Sequence, residues 1–156
     1  MSNHDKTRKL ANRRCGASLA ESTLVLLILV FLILGTLDLG MMVFRYNTAA
    51  ELARIGARAA IVRGADAPPR LPAWDQGSAP AGIRAHLRPL LDACGISDEQ
   101  FHVTVEYEVD DEGVTMNEIG APVTVTVGVD YTPFMTMWRG GATVRLSATS
   151  RMAVAN

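Results

Sequence analysis

One long apolar segment near the N-terminus limits what this chain can fold into. Residues 24–37 read LVLLILVFLILGTL, and within residues 19–44 the only charged side chains are Glu21 and Asp38. As a helix, this segment is long enough, at ~1.5 Å per residue, to cross a hydrocarbon core of roughly 30 Å. It also explains why the share of hydrophobic residues, 49% of 156, is higher than usual for a soluble domain of this size. We therefore predict one transmembrane helix over residues 17–44.

Charge is distributed unevenly on the two sides of this segment. Both lysines and three of the arginines lie in residues 1–16 against Asp5 alone, whereas the rest of the chain has more acidic than basic residues. Basic flanks of membrane helices stay in the cytoplasm. The sequence thus predicts a basic cytoplasmic leader over residues 1–16, a single pass through the membrane, and a C-terminal body that is exported. An acidic body also argues against a nucleic-acid partner.

A short motif joins the leader to the apolar segment. Residues 16–21 read GASLAE, so a glycine follows the basic leader and Glu21 stands five places after that glycine. An ordinary secretory signal has its apolar core before the cleavage site, and residues 1–16 have no such core. The motif instead resembles the class III signal of type IV pilins, which a prepilin peptidase cuts after the glycine. The resemblance implies cleavage between Gly16 and Ala17.

Glu21 and Asp38 are the candidate residues for subunit assembly. A carboxylate at the edge of an apolar bundle is costly unless it is paired. By the resemblance to pilins, the new α-amine of a neighbouring subunit would pair with Glu21 and set the register between subunits; the alternative is a solvated Glu21 at the headgroup level. Asp38 follows about 25 Å further along a helix of ~1.5 Å per residue, where it either marks the membrane exit or makes a polar contact between subunits.

An alanine-rich stretch follows the apolar segment. Residues 37–40 read LDLG and residues 47–60 read NTAAELARIGARAA. Together with Glu21, these motifs resemble the TadE-like family over residues 16–64. The resemblance implies a minor pilin or pseudopilin of a tight-adherence, Flp-type pilus in the bacterial inner membrane. It also implies its partners, which are other pilins or pseudopilins, the prepilin peptidase, the inner-membrane pilus assembly platform and membrane lipid.

Residues 45–63 are predicted to continue the membrane helix as an amphipathic segment. Apolar residues recur at spacings of three and four, and polar residues form a stripe between them. The apolar set is Leu52, Ile55, Ala59 and Val62, and the polar set is Glu51, Arg54 and Arg58. The candidate helix-packing residues are Gly40, Gly56, Arg54 and Arg58. Small residues here either allow another element to approach closely or simply favour helix.

Residues 64–156 are predicted to form the exported α+β body. A loop rich in Gly, Pro and Ala over residues 64–82 precedes a short helix over residues 83–93. Three later stretches alternate apolar and polar residues, as strands with one buried face do. Such a sheet needs a cover, and the amphipathic half of the long helix is available. We predict an antiparallel sheet packed on that helix, an outline that also resembles pilins.

The sequence contains no motif for catalysis, and we predict no enzyme activity, catalytic residue, metal, cofactor or small-molecule substrate. His86 and His102 stand singly, and the acidic residues 110–112 read as a solvated hairpin turn. The alternative function is an uncleaved signal-anchored periplasmic scaffold or sensor. A membrane-tethered enzyme would instead need a pocket that brings His86 or His102 together with carboxylates.

Overall fold

The computed structural model describes residues 3–64, 67, 70–71, 73–108 and 119–155, and for residues 3–17 and 137–139 it describes the backbone alone. The elements in chain order are α1 (Asn3–Ile61), α2 (Ala79–Ala93), β1 (Phe101–Tyr107), β2 (Pro122–Tyr131), a 3-10 helix (Phe134–Arg139) and β3 (Val144–Ala153). This arrangement of a long apolar helix and a small three-stranded body confirms the predicted α+β fold. The predicted turn at 110–112 lies outside the described residues.

The chain divides into two compact units, residues 1–40 and residues 41–156. The described part of the first unit is helix throughout, and helix α1 continues to Ile61 in the second. The second unit contains the hydrophobic core, which gathers side chains from the last turns of α1, from α2 and from the sheet. The sheet is an antiparallel meander in the order β1-β2-β3.

The face of α1 that enters the core differs from the predicted one. Of the four predicted residues only Leu52 is buried, whereas Ile55 and Ala59 are half-buried and Val62 follows the helix and is 39% exposed. The buried positions are instead mainly small, namely Ala49, Leu52, Ala53, Gly56, Ala57 and Ala60. A Cβ placed on Gly56 would lie 3.1 Å from Ile83 Cγ2 and 3.4 Å from Val125 Cγ1. The sheet and α2 therefore approach the helix backbone closely, which displaces the larger side chains to the flanks.

The sheet presents one apolar and one polar face because side chains alternate along each strand. Val123, Val125, Val127 and Val129 of β2 are fully buried under α1 and α2. Pro122 pairs with Ala153 at one end of the β2–β3 hairpin, and Tyr131 pairs with Val144 at the other. Helix α2 buries Ala79, Ile83, Leu87 and Leu91 against this core, while Leu90, which we had placed on the same face, is 41% exposed.

Helix α2 begins four residues before the predicted start, at Ala79. Asp75 Oδ1 accepts hydrogen bonds of 2.7 Å from both the N–H and the hydroxyl of Ser78, and these bonds lower the pKa of Asp75. Pro80 falls within the first turn, where its missing N–H costs nothing. The preceding loop thus forms a turn that leads directly into the helix.

Trp74 packs between the end of α1 and the start of α2. Its side chain is buried, and its backbone N–H donates a 2.8 Å hydrogen bond to Arg63 O. The Arg63 guanidinium lies 4.2 Å from the centroid of the indole ring. The indole packs directly on Gly82, because a Cβ built there would overlap the ring. The absence of a side chain at Gly82 is what allows the indole to lie in this position.

We predict that Gly82→Ala destabilises the body, because the added methyl group would displace the indole of Trp74. The expected loss is about 1–3 kcal/mol, the usual cost of overpacking a core. Urea unfolding of the full chain in detergent, followed by the fluorescence of the body, measures it. Gly77→Ala is the matched control, since the nearest atom to its added Cβ is Asp75 Oδ1 at 3.6 Å. Equal stability of the two variants would contradict the assignment.

Candidate assembly site on the apolar helix

Residues 19–33 of α1 expose apolar side chains on every side of the helix. Large hydrophobic residues between Leu19 and Ile33 are all exposed, from 44% at Val30 to 68% at Leu19. The described span Ser18–Ile61 reaches a mean hydropathy of 2.6, long and apolar enough to cross a membrane. A helix that is apolar all round is stable only inside lipid or among other apolar helices. This part of the chain therefore has the properties of a membrane anchor.

Most polar groups of this helix are satisfied within the helix itself. The hydroxyls of Ser22, Thr23 and Thr36 each donate to the carbonyl oxygen four residues earlier, at 2.9, 2.8 and 2.8 Å respectively. Such bonds remove the cost of placing a hydroxyl in hydrocarbon. The two carboxylates of this segment, Glu21 and Asp38, differ from each other in this respect.

Glu21 is exposed, and it forms no ion pair with any other side chain that the structure describes. The predicted cleavage residues Gly16 and Ala17 lie in helical backbone, and their side chains are outside the described set. Asp38 is half-buried and takes part in an interaction of its own. The two carboxylates thus differ, since only Glu21 is left to be neutralised by something outside the described chain.

The four predicted packing residues lie in different surroundings. An added Cβ on Gly40 would meet nothing within 4 Å, whereas Gly56 is enclosed by Ile83 and Val125. Arg54 donates to Glu51 at 3.4 Å, with both side chains more than half exposed, and Arg58 is also exposed. Gly56 is therefore used inside the subunit, while Gly40 leaves a helix surface open. The packing of Gly40, Arg54 and Arg58 against other subunits stays a prediction.

A charged cluster on the polar face of the sheet was not predicted from the sequence. Asp130 of β2 stands opposite Arg145 of β3, and Arg145 Nε donates to Asp130 Oδ1 at 2.8 Å. His102 Nε2 of β1 lies 3.0 Å from Asp130 Oδ2. Gly128 lies between them, and a Cβ built there would lie 3.4 Å from Arg145 Cδ and 3.6 Å from His102 Cβ, in ordinary van der Waals contact. Only the pairing register brings these residues together, so no pattern along the chain could have revealed the cluster.

The geometry of this cluster is that of an ion network. The Arg145 guanidinium holds the pKa of Asp130 down to about 2, with a smaller contribution from His102. His102 Nε2 also lies 3.1 Å from Arg145 Nη2, so this nitrogen either donates to Asp130 or accepts from Arg145, one at a time. Within the described residues, no group of three or more His, Cys, Asp or Glu side chains is arranged to hold a metal ion. The cluster ties the three strands together.

We predict that Arg145→Ala raises the pKa of Asp130 from about 2 towards its ordinary value of about 3.9. Because the pKa is depressed in the folded state, the network stabilises the body above the ordinary pKa, and this contribution is lost as the pH falls through about 2. Carboxyl-carbon NMR titration measures the shift. Arg151→Ala, on the same strand but opposite Thr124, should leave the pKa of Asp130 unchanged. A low Asp130 pKa in the Arg145 variant would show that another group sets it.

Comparison with known families gives a match in the helix that carries these residues. Residues 16–58 match the family model described as TadE-like protein. The chain carries a TadE-like segment. The match begins at the predicted cleavage glycine and ends at Arg58 in α1, and it confirms the resemblance inferred from the motifs. None of the curated proteins and none of the solved structures matches the chain.

The TadE-like segment includes the apolar helix, Glu21, Asp38 and the first buried turns of the body. It indicates a protein associated with the Tad/Flp pilus, and the family implies interactions with other pilus components. The TadE-like family is not known to be enzymatic. The family match therefore includes the part of the chain whose exposed apolar surface needs a partner.

Proposed function

We propose that this TadE-like chain is a minor pilin or pseudopilin that takes part in assembling a tight-adherence, Flp-type pilus. The observation that carries the proposal is the exposed apolar helix, in which Glu21 is the sole charged residue between positions 18 and 37. Before assembly, lipid of the bacterial inner membrane covers this surface, with the leader in the cytoplasm and the body outside. In the assembled state, the helices of other pilins take the place of the lipid.

Processing after Gly16 by a prepilin peptidase supplies what Glu21 lacks. Cleavage removes the basic residues of the leader and leaves an α-amine on Ala17, with an ordinary pKa of about 7.7–8.0, so it is a cation at neutral pH. A carboxylate among apolar helices is stabilised when a compact cation lies against it. The α-amine of one subunit and Glu21 of the next form this pair, and each added subunit presents both groups again.

The remaining helix residues fit this mechanism. The hydroxyls of Ser22, Thr23 and Thr36 donate to carbonyl oxygens of their own helix and so do not occupy the Glu21 carboxylate. Gly40 leaves its helix surface open, which allows a neighbouring helix to approach closely, and Asp38 stands where the helix leaves the apolar region. The inner-membrane assembly platform is the partner that moves each processed subunit out of the bilayer.

We predict that Glu21→Ala reduces incorporation into fibres by about 100-fold or more, because it leaves an α-amine unpaired among apolar helices. Breaking such a buried pair costs about 3–5 kcal/mol, and each 1.4 kcal/mol is about tenfold in an equilibrium constant. Immunoblots of sheared fibres and of membranes measure the ratio of protein in the fibres to protein left in the membrane.

Glu51→Ala is the matched control for this experiment. Glu51 lies on the same helix, is exposed, and bonds only to Arg54 at 3.4 Å among the described residues, so its loss should leave incorporation unchanged. Both variants should still insert in the membrane, since the apolar segment is intact. Wild-type incorporation of the Glu21 variant would contradict the proposed mechanism, whereas absence of the wild-type chain from sheared fibres would favour an uncleaved anchor that acts as a scaffold or sensor.

A further inference from the structure

The connection between β2 and β3, residues 132–143, forms an exposed apolar loop together with Val144, the first residue of β3. Phe134 is 51% exposed, Met135 40% and Val144 37%. The loop sequence contains no acidic residue, and Arg139 is its only charged residue, although the chain beyond the leader is acidic overall. The loop therefore differs in both polarity and charge from the body that carries it.

Three contacts within the body fix the end of the sheet at which this apolar loop lies. The N–H of Ala155, just beyond β3, donates to Ile61 O at the end of α1. One turn earlier in the helix, Gly56 lies against Val125 of β2. Moving along α1 towards its N-terminus thus means moving along β2 towards Tyr131. The apolar loop lies at the end of the body where the chain enters it, and Ile119 lies at the opposite end, next to the Gly120–Val154 bond.

The apolar loop lies at the same level as the first residues of α1 that belong to the body. The six residues from Val125 to Tyr131 extend about 20 Å at ~3.3 Å per residue, which equals about 13 residues of helix counted back from Gly56. That count ends at Val43, and Val43, Phe44 and Tyr46 are themselves at least half exposed. Two apolar surfaces therefore occur at the same level of the body.

The backbone of the apolar loop is suited to an apolar environment because several of its polar groups bond within the loop. Thr136 donates to Pro133 O through both its N–H and its hydroxyl, at 3.0 and 2.8 Å. The N–H of Gly141 donates to Thr136 O at 3.0 Å, with Gly140 and Gly141 both at positive φ. A loop with satisfied backbone groups and outward apolar side chains can enter the boundary of a bilayer at little cost.

We propose that the apolar loop is a second membrane contact, which places Phe134 and Met135 in the outer boundary of the same bilayer that α1 spans. Lipid is the occupant favoured by the level of the loop with Val43–Tyr46, by the absence of acidic residues, and by Trp138 in the loop sequence, a residue type enriched at membrane interfaces. The contact holds the body against the membrane before assembly. It rests on membrane anchorage by α1 and is independent of cleavage and of fibre formation.

Depth-dependent quenching of a fluorescent label tests this contact in the full chain. Single cysteines at Leu29, Met135 or Ile119, each in a Cys15→Ser and Cys94→Ala background, are labelled with an environment-sensitive nitrobenzoxadiazole dye. The proteins are reconstituted in vesicles of phosphatidylethanolamine and phosphatidylglycerol that contain doxyl-labelled lipid. Leu29 reports on the membrane span, and Ile119, an apolar residue 65% exposed at the far end of the sheet, is the matched control for Met135.

The expected result is a blue shift and loss of emission at positions 29 and 135, with neither change at position 119. Quenching at 29 without quenching at 135 overturns the loop contact while leaving the anchor in place. Equal quenching at 135 and 119 overturns it as well, because the body would then adsorb without preference. Absence of quenching at 29 contradicts the membrane anchor and the loop contact together.

Discussion

The need to cover an apolar helix governs the rest of this structure. The side chains between Leu19 and Ile33 are exposed on all sides of α1, and the hydroxyls among and beside them bond back to their own helix. Such a surface is stable only in lipid or against other apolar helices. One carboxylate, Glu21, interrupts it near the predicted cleavage site. The body, the leader and the proposed assembly chemistry all follow from how this helix is covered and how Glu21 is neutralised.

Helix α1 changes its residue types where its surroundings change. Between residues 19 and 33 it exposes large Leu, Ile, Val and Phe side chains. Its last turns carry Ala and Gly inward, from Ala49 to Ala60, where β2 and α2 pack close to the backbone. Burial of large side chains in the body comes mainly from the partners, such as Ile83, Leu87 and the valines of β2. The same helix thus exposes large apolar side chains in the first unit and buries small residues against the sheet in the second.

Sequence patterns predicted the parts of the fold that depend on local periodicity. The apolar run gave the long helix, and strict alternation along β2 gave a strand with one buried face. The predicted face of α1 lies only partly in the core. Leu52 is buried, and Ile55 and Ala59 pack against the core, but most of the fully buried positions are small residues, because the sheet packs close to the helix backbone. The start of α2 was missed because Asp75, Ser78 and Pro80 act through turn geometry rather than through hydrophobicity.

The candidate sites divide in the same way. Gly16, Glu21 and Asp38 are recognisable as candidates because their distances along the sequence, from the leader and from each other, form the motif. The TadE-like match covers all three. The network of His102, Asp130 and Arg145 forms only because the register of three strands brings these residues together. The apolar loop becomes a candidate membrane contact only once the end of the sheet at which it lies is known. Information carried by strand pairing is absent from a single sequence read alone.

Zero-length carbodiimide coupling of assembled fibres tests whether Glu21 of one chain is neutralised by the α-amine of another. Fibres built from a mixture of isotopically light and heavy chains would be coupled, digested and mapped by mass spectrometry. We predict peptides that begin at Ala17 and are joined through that amine to Glu21 of a chain of the other isotope. Chains that still begin at Met1, or mature chains whose Glu21 is never joined to a second chain, would contradict it.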